Sequence, residues 1–233
     1  KSSLTNSSSV VAFSARVLAS CANAAAVESA VKESIKLLLK FFDWLDEDKE
    51  LGIIIKSKKS NIIKSLKTLN PLLVKAINTG RCRVIEDPFQ KIPAYYSSIC
   101  DFSIGVGTWL SSALIECVAC NAKGIFFDYP NLKDTDDLLI NGKDNIVFSD
   151  INKMIQDLKS YKKNPMMYKK LGDWSNMIDS IDPFRDEKGN ERIGKYINLI
   201  YEGYEKGLID NINIENANQY YTKLYDNLRS KIV

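Results

Sequence analysis

Two rhythms of apolar residues alternate along this chain. Short apolar runs recur at Val10–Phe13, Leu51–Ile55, Arg83–Ile85, Asp101–Val106, Ile125–Phe127 and Asn145–Phe148. Runs of this length, bounded by loop residues, read as buried strands. Between them apolar residues recur every three or four positions, the spacing of a helix with one covered face. Val27, Val31, Ile35, Leu38, Phe42 and Leu45 mark the clearest helix, with Glu28, Lys32, Lys36, Lys40 and Asp43 off the stripe. Ile62–Ile77 predicts a second helix, broken or bent at Pro71 and stopped by Gly80. Pro93–Ser98 predicts a short one, and Ile151–Tyr161 a last one capped by Ser149-Asp150. Strands alternating with helices predict an α/β fold: a doubly wound parallel sheet of about six strands.

The pattern also divides the chain. Residues 1–9, KSSLTNSSS, read as a flexible lead-in, and residues 10–164 as the α/β domain. Residues 165–233 read as a helical C-terminal extension, with Ile193, Ile197, Ile200 and Tyr204 on one stripe.

The stretch from Asp101 to Tyr129 organises the rest. Its strand ends at Gly105 and Gly107, which allow a sharp turn. Thr108, Ser111 and Ser112 stand where the next helix begins, and Ala113, Leu114, Ile115, Val118 and Ala119 give it a buried side. Free N–H groups and a helix dipole at such a turn suit an anion, most often a phosphate. Glu116 lies one turn further in, among apolar neighbours. It needs solvent, a salt-bridge partner or a ligand hydroxyl.

Composition narrows the chemistry. The 233 residues are 45% hydrophobic and 26% charged, with a net charge of +3, ordinary for a globular protein and too little to argue for nucleic acid. With no histidine, Ser-His-Asp and Cys-His catalysis are excluded within the chain. The five cysteines lie at 21, 82, 100, 117 and 120, with no second C-x-x-C pair, so no metal is expected. Such isolated thiols suit a reducing cytosol. Asp134, Asp136 and Asp137 crowd one loop, where solvation is the plainer reading. The chain begins with Lys1 rather than Met, as a fragment would.

SSALIECVAC followed by GIFFDYP resembles the donor-nucleotide half of the GT-B glycosyltransferases. Glu116 falls on the glutamate that binds the nucleotide ribose in that family. Ser111 and Ser112 fall on the paired serines of the CDP-glycerol glycerophosphotransferases, a related family of surface-polymer synthesis. The chain departs from both patterns at Thr108, where an acidic residue is common, and at Trp109, where the second family has aspartate.

The resemblance implies a Rossmann-like nucleotide-binding domain and a set of donor contacts. Arg16 matches loosely an arginine that meets the diphosphate. Lys56 takes the place of a histidine at a strand end, and it or Lys58 or Lys59 faces the diphosphate unless the loop is simply solvated. Pro88 and Phe89 supply an apolar wall for the base, unless Phe89 is core. Arg185, in DPFRDEKGNERIG, reaches the cleft or makes a structural salt bridge.

The implied activity is transfer of a sugar from a nucleotide-sugar donor to a glycan or polysaccharide acceptor, with no cofactor or metal required. A glycerophosphotransferase, a nucleotide-sugar epimerase and a non-catalytic nucleotide-binding module share the architecture and stay open. No catalytic residue is assigned, because the acceptor site would lie on an N-terminal domain missing from this chain. The setting implied is cytoplasmic, at the inner face of the membrane if the full-length protein associates with it peripherally.

Overall fold

The computed structural model describes residues 9–15, 24–57, 69–85, 91–107, 112–129, 142 and 144–229. The chain divides into two compact units, Lys1–Asn176 and Met177–Val233.

The first unit is a mixed α/β structure with parallel strands. In chain order it runs β1 (Ser9–Ala15), α1 (Ala24–Glu47), β2 (Leu51–Ser57), α2 (Asn70–Asn78), β3 (Cys82–Ile85), α3 (Pro93–Ser97), β4 (Phe102–Val106), α4 (Ser112–Ala119), β5 (Gly124–Phe127), β6 (Val147–Phe148) and α5 (Ile151–Lys163). The strands stand in the order β3-β2-β1-β4-β5-β6, and every neighbouring pair is parallel.

The strands alternate their side chains between two covered faces. Ile53 and Ile55 of β2, with Phe102, Ile104 and Val106 of β4, join a core with Leu37, Phe41 and Trp44 of α1, Leu73 of α2 and Met154 of α5. On the other face Ile54 packs with Ile85 and Tyr96. There α4 lies so close to β4 that a Cβ on Gly105 would sit 3.0 Å from Leu114 Cβ. Both faces being covered explains why the strand runs are apolar throughout rather than alternating.

Several local expectations shift. The buried face of α1 is wider than a single stripe, because Leu37, Phe41 and Trp44 are buried as well as Leu38, Phe42 and Leu45. Pro71 stands in the first turn of α2, where its missing N–H has no intrahelical partner to lose; residues 62–68 of the expected helix lie outside the described residues. In α4 Cys117 is buried and Ala119, expected on the buried side, is exposed. The strand near 146 shrinks to Val147–Phe148. Asp150 caps α5 as expected, accepting from the backbone N–H of Asn152 and Lys153.

Arg81 ties the end of α1 to β2. Its Nη2 donates to the Leu45 carbonyl at 2.9 Å, and its Nη1 to the carbonyls of Asp48 and Leu51 at 2.8 and 3.1 Å. The Leu45 and Asp48 carbonyls lie where α1 runs out of intrahelical donors, and the Leu51 carbonyl opens β2. Arg81→Met keeps the stem and removes all three bonds. We expect a loss of about 2–3 kcal/mol, read as a lower urea midpoint at unchanged slope; an unchanged midpoint contradicts the role.

Residues 165–176 are not helical, contrary to expectation, and they belong to the first unit. Gly172 adopts φ +69°, and the segment stitches onto the start of β5. Gly124 N–H donates to the Gly172 carbonyl, and Trp174 Nε1 donates to the Gly124 carbonyl, both at 2.9 Å. Lys123 Nζ donates to the carbonyls of Lys169 and Leu171. The boundary therefore falls after Asn176 rather than after residue 164.

The second unit holds α6 (Ile178–Ile181), α7 (Gly189–Glu205) and α8 (Asp210–Arg229). α7 and α8 meet at Gly203, where a Cβ would lie 1.7 Å from Asn213 Oδ1. Asn213 Nδ2 donates to the Ile200 carbonyl at 2.7 Å, and Tyr196 Oη to Asn218 Oδ1 at 2.7 Å. The expected stripe is not the packed face: Ile193, Ile197 and Tyr204 are exposed. A small residue decides the contact, because it lets the backbones approach, and periodicity of large residues does not register that.

Candidate nucleotide site at the strand ends

The six parallel strands end on one edge of the sheet. After β1 the chain passes to α1 on one face, and after β4 it passes to α4 on the other. A crevice opens where neighbouring strands send their connections to opposite faces, and ligands of open α/β sheets bind there. Here those strands are β1 and β4.

Lys56 stands near this edge, level with Ser14 of β1 and Ile85 of β3. It follows Ile54 on the α3 side of the sheet and is only 8% exposed. Its Nζ lies 5.9 Å from the centroid of the Tyr96 ring, at the limit of a cation–π contact. Lys56 therefore belongs to the buried end of β2 and not to a solvated loop after it.

Ser112 and Glu116 are both exposed, one turn apart in α4. Leu114, Cys117 and Val118 take the opposite side of that helix into the core. The Glu116 charge is therefore accommodated by solvent, and its carboxylate makes no salt bridge among the described residues.

Arg185 lies in the second unit. Its Nη2 contacts Asp179 Oδ1 at 2.8 Å, so it makes the structural salt bridge, the favoured of its two readings. Its backbone has φ +44° and that of Glu187 φ +60°, both uncommon for residues with a side chain. The turn is held by Asp182 Oδ1 accepting from Arg185 N–H and by Asp186 accepting from Arg192 Nη1. Arg192 in turn covers the Phe184 ring at 4.2 Å. The DPFRDEKGNER motif is thus a self-contained lead into α7.

Arg16, Lys58, Lys59, Pro88, Phe89, Thr108, Trp109 and Ser111 lie outside the described residues, as do Asp134, Asp136 and Asp137.

Two features escaped the sequence reading. Asp128, directly after β5, is fully buried at the same edge. An aspartate closing an apolar run is the signal that could have found it. Tyr95 and Tyr96 also lie beside this edge, in α3, with ring centroids 5.4 Å apart and nearly perpendicular planes.

Three of the described thiols are poor nucleophiles. Burial pushes the Cys82 and Cys100 thiols up to about 12 and raises Cys117 as well, so all three stay protonated near neutral pH. No group of three or more metal-ligating side chains occurs among the described residues. A groove of about 470 Å³ lies elsewhere, between α1 and α5. In it Lys159 pairs with Glu47 at 2.5 Å and lies over the Trp44 ring. Nothing in it converges on a ligand. No described helix is long and apolar enough to cross a membrane.

Compared with known protein families, curated proteins and solved structures, the chain matches none of them.

Proposed function

We propose that the first unit is a Rossmann-like, doubly wound nucleotide-binding domain, the donor half of a GT-B-type glycosyltransferase. The observation that carries the reading is the strand order β3-β2-β1-β4-β5-β6, with a buried lysine at the strand ends beside its switch point. Lys56 holds the diphosphate of a nucleotide-sugar. Ser112 and the start of α4 add hydrogen-bond donors to it, and Glu116 accepts from the ribose hydroxyls. The protein's part in the transfer is electrostatic: fixed positive groups stabilise the leaving diphosphate as the sugar departs. The acceptor is a glycan or polysaccharide, brought by a further domain.

Glu116→Gln tests the ribose contact. Glu116 is exposed, so the substitution leaves folding intact. A charge-assisted hydrogen bond contributes on the order of 1.5–3 kcal/mol, so affinity for the preferred nucleoside diphosphate falls roughly tenfold or more. An unchanged dissociation constant by calorimetry removes Glu116 from the site.

A further inference from the structure

Two tyrosine rings stand in a row between two lysines beside the strand ends. Lys56 is buried and lies 5.9 Å from the Tyr96 ring centroid. Tyr96 stands edge-to-face with Tyr95 at 5.4 Å and 87°. Lys91 Nζ lies 3.5 Å from the Tyr95 centroid. The row runs from the interior outward: Tyr95 keeps 52% of its surface exposed, and Lys91 is exposed too.

Such a row is a graded site. The inner cation is fixed by burial, and the perpendicular packing of the two tyrosines fixes the outer ring. An exposed ring in a fixed orientation is a stacking surface, because every nucleobase has a flat face and the ring loses little freedom on binding. The span from Lys56 Nζ to Tyr95 is no more than the two intervening distances laid end to end. A nucleoside diphosphate covers that span between its base and its terminal phosphate.

We propose, resting on the nucleotide reading above, that Tyr95 is the face on which the base stacks and that Lys91 sets which base is preferred. A base taking the Tyr95 face displaces the Lys91 ammonium toward the base's own edge. Lysine is a flexible cation with donors and no acceptor. It therefore favours bases with carbonyl edges, uracil and guanine, over adenine with its exocyclic amine. Lys91 beside the ring holds the Tyr95 hydroxyl below the usual tyrosine range, through hydrogen bonding and then its positive charge.

The experiment is a calorimetric titration of the whole chain with UDP, GDP and ADP, on the parent, Tyr95→Phe, Tyr95→Ala and Lys91→Met. The expected result is tighter binding of UDP or GDP than of ADP by the parent, with Tyr95→Phe unchanged. Tyr95→Ala weakens each nucleotide about tenfold, and Lys91→Met removes the preference over ADP. If UDP and GDP bind the parent no better than ADP, the preference is overturned. If the parent binds a nucleotide and Tyr95→Ala binds it equally well, the stacking assignment is overturned while the nucleotide reading stands. A parent that binds none of the three overturns both. Circular dichroism and melting on each variant separate a lost contact from a lost fold.

Discussion

Gly124→Ala is expected to destabilise the first unit by about 3 kcal/mol. A Cβ at this position would lie 2.5 Å from Val118 Cγ2 and 2.9 Å from Trp174 Nε1. Val118 and Trp174 are both nearly fully buried, so neither can step aside into solvent. The Trp174 indole N–H also donates to the Gly124 carbonyl. Moving the ring therefore breaks a buried hydrogen bond as well as shifting the packing. For a unit of this size the melting temperature should drop by about 6–12 °C. Val118→Ala in the Gly124→Ala background removes the nearer clash and should recover part of the loss, a coupling that only contacting residues show. A Gly124→Ala protein that melts within a degree of the parent contradicts the close approach of α4 and the 165–176 segment to β5.

Lys56→Met should have the largest effect on binding. Methionine keeps an unbranched apolar side chain beside Tyr96 and removes the ammonium. If Lys56 holds the diphosphate, affinity for a nucleoside diphosphate falls roughly tenfold to a hundredfold, while affinity for the bare nucleoside is unchanged. Lys56 also has a partner within the protein, so its removal is expected to lower the melting point as well. A lower melting point with nucleotide affinity intact would assign Lys56 to a structural pair. Calorimetry and thermal melting on the same preparation distinguish the two.

The order of strands and helices in the first unit was legible in the sequence because both faces of the sheet are covered. Strands buried on both sides stand out as apolar runs, such as Leu51–Ile55 and Ile125–Phe127, whatever lies around them. Failures came where backbone geometry outweighs side-chain pattern. The 165–176 segment packs through Gly172 at φ +69° and through carbonyls that accept from Lys123, features that carry no periodicity. The stripe on α7 was read from large residues, whereas the helices meet at Gly203.

The candidate site was legible only in part. Lys56 was found because a basic residue followed an apolar strand, but nothing in the sequence showed that it would be buried. Glu116 drew notice as a charge in an apolar helix, and solvent on that side of α4 accounts for it. Asp128 and the Tyr95–Tyr96 pair were missed because their significance lies in their position at the sheet edge. That position follows from the strand order, which joins residues far apart in the chain.

The central claim is that the strand ends of the first unit bind a nucleotide-sugar. Calorimetric titration of the whole chain with UDP-, GDP-, CDP- and ADP-sugars tests it most directly. The predicted result is one site per chain for at least one donor, with a dissociation constant on the order of 1 μM to 1 mM, weakened by Lys56→Met. Absence of binding to all four donors at millimolar concentration, by a chain that melts cooperatively, would contradict it.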